Sequence, residues 1–394
     1  MSHQLSNLGS TASTVKATLN CNQSNTFAPK ALVVAILLAA TSAQSFAANY
    51  SVQQVPLPDI SKISIPVGEI IRPVCPAINN LGKVACNLEV IQILNRTPLD
   101  QLAPAAKVFA SYVFTWDSTL PVSATNPKLL SDTGASTLDH VSDINILGEL
   151  AGSTVNAGKR QGALWSPNAT SPTPIGPGRI TALNDNGDYV LNGQLFSFTG
   201  VPLKFSAKTV VVDAINNGLP GIPQAAGKEQ FAKTAGTGLL YTAAPANPKF
   251  ALTGTSDNET VTDLSQNGHF VISGTPNTLS GMTALKCDVT SSCQSYSPTV
   301  GASSRNSPTI ILNAVDDNGV AVGTDTGIGV MFQPNATNPA LADTRVVLNS
   351  TLTNNIPANS WFLNEATDIN SQGKIIGKAV HSAKTAAFLL SPVL

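Results

Sequence analysis

The sequence predicts an all-β protein built as a single β-propeller, and three observations lead to this prediction. Charged residues make up only 11% of the 394-residue chain, against roughly 25% in an average soluble domain, and Asn, Thr, Ser and Gly take their place. One turn pattern recurs along the chain at intervals typical of repeat proteins. A short apolar stretch that ends in an aromatic residue follows almost every copy of that turn.

The N-terminal region is typical of an export signal. Positive charge and no acidic residue precede the apolar run Ala31–Ala40. Its ten residues are too few to span a bilayer, which takes about 20, but they suit the core of a signal peptide. We therefore expect residues 1–47 to be a signal peptide, cleaved between Ala47 and Ala48, and residues 48–394 to form a propeller domain in the periplasm or outside the cell. An uncleaved membrane anchor is the alternative.

Four cysteines remain in the predicted mature chain, Cys75, Cys86, Cys287 and Cys293. An even number after an export signal indicates disulfide bonds. Local pairing, Cys75 with Cys86 and Cys287 with Cys293, is the simplest of the three connectivities. A zinc site is the alternative, but the spacings of 11 and 6 residues do not match the closer spacing that zinc ligands prefer.

The recurring turn is Ala or Asp, an aliphatic residue, two or three polar residues, glycine, and a short apolar stretch that ends in a small residue. The polar residues predict a type I turn in which Asn or Asp side chains cap their own backbone. The glycine is expected to take the positive φ that closes the hairpin. Seven copies occur, and their predicted turn glycines are Gly82, Gly148, Gly187, Gly218, Gly268, Gly319 and Gly373.

Each repeat unit therefore predicts a strand, a turn, a second strand, a variable loop and an aromatic strand. The aromatic strand is clear at Trp116 and Trp165 but weak in the fifth copy, where Tyr296 is the best candidate. One unit cannot bury its own apolar face, whereas seven units side by side can. We expect seven blades, with six or eight blades or an open β-solenoid as alternatives, because the long first interval could hold another blade around Pro121–Ser136. The segment Tyr50–Pro58 is predicted to add a strand to the last blade and close the ring.

The repeat resembles the extracellular family named for its His-Ala-Phe tripeptide, in which IN-x-x-G-x-(V/I)-x-G precedes AF-x-W. The first half matches best at Asp143–Gly152 and Asp368–Gly377. The tripeptide itself departs from the family, because Gly162–Trp165 and Ala386–Leu390 keep the alanine and the aromatic residue but no copy keeps the histidine. The resemblance covers most of residues 50–394. It implies a propeller-like β-structure in an exported bacterial protein, and it supplies no catalytic residue.

Two Asp-Thr-Gly triplets, which begin at Asp132 and Asp325, match the tripeptide around the catalytic carboxylates of aspartic proteases. That activity needs two carboxylates on equivalent loops that share a proton. The two triplets are not equivalent, because Asp132 lies in the long insert after the first copy and Asp325 in a hairpin of the sixth. We therefore expect Asp325 to cap a loop, and an aspartic protease is kept as an alternative.

Other catalytic and metal signatures are weak. The chain has no Gly-x-Ser-x-Gly elbow, and we expect His140, His269 and His381 at solvated positions. The oxygen-rich turns "AVDDNG" and "LNDNGD" could hold a structural calcium ion, but they lack the EF-hand pattern, and turn capping is the simpler interpretation. No catalytic residue and no metal ligand are assigned.

The charge balance limits the partners. The chain has 22 Lys and Arg against 23 Asp and Glu, with no basic cluster, which argues against nucleic acid or an anionic membrane surface. We expect a monomeric, exported, non-enzymatic binding or structural module, without a membrane span after signal cleavage. A protein or carbohydrate ligand would bind where variable loops gather, with Pro121–Ser142 and Gly274–Pro308 as the best loops. The alternative is a hydrolase or lyase acting on polysaccharide, which requires acids and a histidine at the channel mouth.

Overall fold

The computed structural model describes a β-protein, and no α-helix occurs in its described part. The described residues are 49–63, 65–66, 69–93, 106–131, 138–167, 169–203, 210–218, 223–229, 239–241, 260–273, 284–288, 293–298, 309–335, 342–353 and 360–393. All of them belong to the compact unit Phe46–Leu394. The predicted signal peptide, its cleavage point and Asp132 lie outside the described residues.

The described residues form seven antiparallel sheets that follow one another along the chain, five with four strands and two with three. Sheet 1 is β2 (Ile70–Ile78), β3 (Lys83–Ile93), β4 (Ala106–Asp117) and β5 (Lys128–Leu129), and sheet 2 is β6 (His140–Ile144), β7 (Leu150–Asn156), β8 (Lys159–Trp165) and β9 (Thr173–Pro177). Sheet 3 is β10 (Ile180–Leu183), β11 (Tyr189–Leu191) and β12 (Gln194–Phe196), and sheet 4 is β13 (Val210–Ile215), β14 (Ala225–Glu229) and β15 (Leu239–Tyr241). Sheet 5 is β16 (Thr260–Leu264), β17 (Phe270–Ser273), β18 (Ala284–Cys287) and β19 (Cys293–Tyr296), and sheet 6 is β20 (Ile310–Val315), β21 (Ala321–Asp325), β22 (Ile328–Gln333) and β23 (Thr344–Val347). Sheet 7 is β24 (Trp361–Ile369), β25 (Ile375–His381), β26 (Lys384–Pro392) and the N-terminal β1 (Tyr50–Gln54).

Each sheet contains one copy of the predicted turn between its first and second strands. In sheet 7, the amide of Gly373 donates to the carbonyl of Asn370 at 2.9 Å, and the side-chain oxygen of Asn370 accepts from the amide of Lys374 at 3.0 Å. All seven turn glycines have φ between 66° and 83°. Positive φ costs a glycine nothing, because it has no Cβ, and the turn therefore sets where each first strand ends.

The aromatic strand is the third strand of its sheet. Trp116 in β4 and Trp165 in β8 are both almost fully buried. Sheet 5 differs from the expectation, because its third strand is Ala284–Cys287 and Tyr296 lies in the fourth strand. The disulfide between Cys287 and Cys293 joins these two strands. The third strand of this sheet therefore has a disulfide-bonded cysteine where the third strands of the other sheets have an aromatic residue.

The hydrophobic core is divided into seven clusters, and each cluster lies between two neighbouring sheets. One contains Val322 of sheet 6 and Trp361 of sheet 7, and the next contains Ile376 of sheet 7 and Trp116 of sheet 1. The other five join sheets 1 to 6 in order. Because the last sheet packs on the first, the sheets form a closed ring, and the predicted β-propeller is confirmed.

The ring is closed by a strand from the other end of the chain, as predicted. β1 pairs antiparallel with β26, with Tyr50 opposite Pro392 and Gln54 opposite Phe388. The long first interval does not form a further sheet in its described part, because residues 118–127 form a loop that leads to β5, the fourth strand of sheet 1. The extra length is used in the long strands β3 and β4.

Both predicted disulfide pairs are present. Cys75 of β2 is bonded to Cys86 of β3, with 4.0 Å between the Cα atoms, and Cys287 is bonded to Cys293 with 4.1 Å between them. Each bond joins neighbouring strands of one sheet. The local pairing follows from the hairpins, because each hairpin places its two cysteines on adjacent strands.

Candidate functional site

Two concave sites lie on the face of the ring that carries the turns. The first is a polar cavity of about 140 Å³ at the centre, lined by turn residues from six of the seven sheets. The second is a cavity of about 440 Å³ beside the loop of residues 118–127. The two sites differ in what their polar groups are bonded to, and this difference decides which of them can hold a ligand.

Three half-buried aspartates at the centre bridge neighbouring sheets. Asp143 accepts from the amide of Ile144 and, with its other oxygen, from the amide of Leu183 in the next sheet, both at 2.7 Å. The same arrangement occurs twice more. Asp263 accepts from Leu264 and from Val315 of the next sheet, both at 2.8 Å, and Asp368 accepts from Ile369 and Ile78 at 2.7 Å. These carboxylates hold the ring together, because both oxygens of each accept backbone amides.

A second set of contacts links the turns themselves. In five turns the first side chain is an asparagine, which caps its own backbone with its oxygen and donates its amide nitrogen to a carbonyl of the next turn. Asn79 donates to the carbonyl of Asn145 at 2.9 Å, and Asn370 donates to the carbonyl of Asn79 at 3.0 Å. Asn145, Asn184 and Asn216 make equivalent contacts. The central cavity is therefore lined by groups that stabilise the ring.

Burial dominates the electrostatics of the central aspartates. It raises the pKa of Asp143 from 3.8 to about 7, although the amides of Leu183 and Ile144 lower it. Burial likewise raises the pKa of Asp263 to about 6. A carboxyl group whose pKa is raised by folding binds protons more tightly in the folded state. Its contribution to stability is complete below the unfolded pKa and is lost as the pH rises through the folded value.

We therefore expect the wild type to gain stability relative to Asp143→Asn as the pH falls from 8 to 5. The variant also loses one acceptor for a buried amide, which costs about 2 kcal/mol at any of these pH values. Urea unfolding of both proteins at pH 5, 6.5 and 8 measures the gap between them. A gap that widens toward pH 8 would contradict this assignment.

The predicted catalytic candidates are not assembled into a site. His140 begins β6, His269 follows the turn of sheet 5 and His381 ends β25, so the three histidines lie in three sheets. Their expected solvation is wrong, because all three are half-buried. His381, for example, stacks on Trp361 with 4.2 Å between the ring centroids. Trp361 is the residue directly opposite His381 on the paired strand β24, so packing within the sheet covers this imidazole.

Asp325 differs from the predicted loop position. It is the last residue of β21 and is fully buried. Its carboxylate pairs with the guanidinium of Arg345 on β23 at 2.6 Å, and Thr326 in the following turn donates to it at 3.1 Å. The carboxylate at Asp325 is thus held by an ion pair within one sheet.

The oxygen-rich turns are capped by their own side chains. Asp316 accepts from the amides of Asn318 and Val320 at 2.9 and 2.8 Å. Asn184 accepts from the amides of Asn186 and Asp188 at 3.0 and 2.8 Å. Within the described ranges, no group of three or more His, Cys, Asp or Glu side chains could hold a metal ion. No helix in the described residues is long and apolar enough to cross a membrane.

The larger cavity lies between sheets 1 and 2, beneath part of the predicted ligand loop Pro121–Ser142. One buried side chain, Asn126, organises the loop above it. The amide nitrogen of Asn126 donates to the carbonyls of Asp117, Leu120 and Pro121 at 3.0 to 3.2 Å. Its oxygen accepts from the amide of Asp117 at 2.9 Å. Asn126 therefore ties three points of the loop together, and Ser123 and Thr125, whose hydroxyl groups lie 3.3 Å apart, are exposed on its surface.

The lining of this cavity combines cationic, hydroxyl and apolar groups. Lys83 begins β3 and lies half-buried beside the turn of sheet 2. Burial has the largest effect on the pKa of Lys83 and lowers it. The charge of Asp117 raises this pKa, and the charge of Lys128 lowers it. The other lining residues are Thr115, Leu120, Pro121, Ser123, Thr125, Asn126 and Pro167. In the part of the chain that the structure describes, the Lys83 ammonium makes no hydrogen bond, so it can bind a ligand without losing a protein partner.

The sequence pattern predicts the loop but not the residues below it. Lys83 and Thr115 belong to repeat strands, and nothing in their sequence context distinguishes them from other strand residues. The feature of the sequence that points to the cavity is the long interval between the first two copies of the turn. The additional loop residues between the third and fourth strands of sheet 1 have to lie above that sheet.

Comparisons with known proteins identify no family and give only distant structural similarities. No family model matches the chain, and no curated protein matches it. The chain is similar to the solved structure of TolB from Acinetobacter baumannii, with 10% identity over 71% of this chain and 59% of that chain and a TM-score of 0.36. It is similar to a gluconolactonase from Xanthomonas campestris, with 9% identity, 88% and 98% coverage and a TM-score of 0.35. It is also similar to the WD40 domain of Toxoplasma gondii coronin, with 10% identity, 88% and 87% coverage and a TM-score of 0.31. No activity is transferred from these proteins.

Proposed function

We propose that this protein is an exported, non-enzymatic β-propeller that binds a carbohydrate in the cavity beneath residues 118–127. The observation that carries the proposal is the cavity itself, whose volume of about 440 Å³ is in the range of small-molecule sites. A side-chain amide fixes the loop above it. A fixed loop favours binding, because less conformational freedom is lost when the ligand binds.

The chemistry of the lining fits a sugar. Hydroxyl groups of Ser123 and Thr125 stand at the exposed rim, and the Lys83 ammonium supplies donors from below. Leu120 and Pro121 provide apolar surface against which the C–H face of a sugar ring can pack. Few polar groups that fix orientation, set among apolar atoms, are typical of small-molecule sites.

Export is supported by two features. The two disulfide bonds are typical of proteins in oxidising compartments, and the apolar run Ala31–Ala40 is typical of a signal peptide. We place the mature protein, which begins at Ala48, in the periplasm or outside the cell. Membership of the His-Ala-Phe repeat family remains a prediction from the turn pattern.

The hydrogen bonds of the central acids argue against hydrolysis at the centre of the ring. A polysaccharide hydrolase or lyase needs an acid and a base that are free to exchange protons with the substrate. Asp143, Asp263 and Asp368 instead accept backbone amides with both oxygens. The same carboxylates cannot leave these amides without separating the sheets.

The experiment measures binding of neutral and acidic mono- and disaccharides by calorimetry, with protein purified from the periplasm of a bacterial host. We expect one class of sugar to bind, and Lys83→Met to weaken that binding about tenfold, the effect of losing a hydrogen bond from a charged group. Methionine keeps the length of the side chain, and its half-buried position tolerates an apolar group.

Lys384→Met is the matched control, because Lys384 is exposed on sheet 7 and should leave the affinity unchanged. Equal loss in both variants, or no sugar bound by the wild type, would reject the site. Release of new reducing ends during the titration would instead support the hydrolase.

A further inference from the structure

Four polar side chains below the loop of residues 118–127 share one side of sheet 1. Lys83 of β3 lies opposite Asp117 of β4, and Lys128 of β5 lies opposite Thr115 of β4. Asp117 and Thr115 are two positions apart in one strand, so their side chains point to the same side of the sheet, and residues paired across strands share that side. The register therefore brings the four side chains together, and all four line the cavity of about 440 Å³.

This side of sheet 1 is the one that packs against sheet 2. Ala85 of β3 and Val113 of β4 each lie two positions further along the same side, and both are buried in the cluster that contains Trp165 of sheet 2. Sheet 2 contributes Pro167 to the lining of the cavity. The cavity therefore lies where the apolar contact between the two sheets gives way to charged and hydroxyl side chains.

The lining has more positive than negative charge. Among the described residues around the cavity, Lys83 and Lys128 are cationic and Asp117 is the single acid. The Asp117 carboxylate is engaged by the loop, because its Oδ1 accepts from the amide and the hydroxyl of Thr119 at 2.9 and 2.6 Å. A ligand that carries one negative charge would balance the lining.

The Lys83 side chain crosses from sheet 1 to the turn of sheet 2. Its Nζ lies beside Gly148, 3.0 Å from the position that a Cβ would take there. The charge of Lys128 lowers the pKa of Lys83, in addition to the larger effects of burial and of Asp117, which agrees with two lysines that face one cavity. A carboxylate beside Lys83 would favour the charged ammonium, and the attraction is stronger in a half-buried site than in bulk water.

We propose that the sugar bound in this cavity is acidic and that its carboxylate lies between Lys83 and Lys128. One strand separates the two lysines, which places their backbones roughly 10 Å apart, and their long side chains reach a group held between them. A hexuronate, in which a carboxylate replaces the hydroxymethyl group of a hexose, is the class of ligand that matches this lining. The inference rests on the proposed carbohydrate binding and adds the charge of the ligand, with the two lysines as the residues that select it.

The experiment compares glucuronate and galacturonate with glucose, galactose and glucuronamide by calorimetry on the full protein. Glucuronamide keeps the shape of glucuronate and removes its charge. We expect the better of the two uronates to bind about tenfold more tightly than its neutral counterparts, the effect of a hydrogen bond to a charged group, and added salt to weaken only the uronate. Lys128→Met should reduce this preference to about threefold or less. Lys107→Met is the matched control, because Lys107 is an exposed residue at the other end of β4, so it removes the same net charge and should keep the preference.

The possible results separate this inference from the function on which it rests. If neutral hexoses bind as tightly as the uronates and Lys83→Met weakens them, the cavity is a carbohydrate site and the acidic ligand is wrong. If none of the five ligands binds, both proposals fail. A preference for uronates that Lys128→Met leaves unchanged, or that Lys107→Met removes equally, would overturn the assignment to the lysines of the cavity. The salt dependence of the wild type tests the charge of the ligand without any variant, and equal salt effects on uronate and hexose would also overturn the inference.

Discussion

Replacing Gly323 with alanine should destabilise the protein by about 3 kcal/mol, the upper part of the usual range for a side chain forced into a packed interior. Gly323 lies in β21, opposite a β-bulge at Leu312 and Ala314 of β20. The bulge pushes the carbonyl oxygen of Ile311 toward β21, and a Cβ at Gly323 would lie 1.9 Å from it. Because the obstacle is backbone, no rotation of a side chain can relieve the contact.

Gly176→Ala is the matched control for this prediction. Gly176 is also in a strand, but a Cβ there would meet only the methyl group of Leu191, at an ordinary 3.5 Å. Both substitutions change the entropy of the unfolded chain equally, so the difference between them reports the clash. Urea unfolding of the two variants measures it, and equal stabilities would show that β20 and β21 can separate at no cost.

The bulge explains why a small residue ends the recurring turn pattern in several sheets. In sheets 2, 4, 6 and 7 the small residue that follows the turn is a glycine opposite the bulge of the first strand. A Cβ at Gly152 would meet the carbonyl of His140, as a Cβ at Gly323 would meet that of Ile311. The bulged side chain in turn reaches the neighbouring sheet, as Asn313 does when its amide nitrogen donates to the carbonyl of Ala366 at 2.7 Å. The small residue therefore contributes indirectly to contact between sheets.

Structural features that depend on residues close together in the sequence were predicted well. The turns depend on polar side chains and a glycine within five positions, and hairpins place Cys75 beside Cys86 without any knowledge of the ring. The number of turns then predicts the number of sheets, because each unit needs neighbours to bury its apolar face. Local chemistry and repetition were thus sufficient for the architecture.

Contacts between strands that are not neighbours in one hairpin could not be predicted in the same way. Asp368 accepts the amide of Ile78, 290 residues away, and Asp325 pairs with Arg345 on another strand. Neither partner is marked by a motif. The same limit applies to the candidate site, because Lys83 lines the cavity together with residues of the loop 118–127, which follows a different strand. A single sequence contains the residues of such sites but not their proximity.

Closure of the ring depends on one N-terminal side chain more than on the rest of its strand. Tyr50 is fully buried in the cluster between sheets 6 and 7, and its hydroxyl lies 4.0 Å from the sulfur of Met331. Its carbonyl accepts from the amide of Thr353 at 3.0 Å. By contrast, Ser51, Gln53 and Gln54 of the same strand are exposed. The strand therefore joins the last two sheets mainly through Tyr50.

We expect Tyr50→Ala to lower the free energy of unfolding by about 4 kcal/mol, the usual cost of deleting a buried aromatic side chain. Tyr50→Phe should cost far less, because it removes only a weak contact to sulfur, and Gln53→Ala should be nearly neutral. Hydrogen exchange adds a local measurement, since the loosened strand should expose the β26 amides that pair with β1 before those that pair with β25. If Tyr50→Ala instead lowers the protection of backbone amides from exchange equally in all seven sheets, the ring unfolds as one unit and β1 does not detach before the rest.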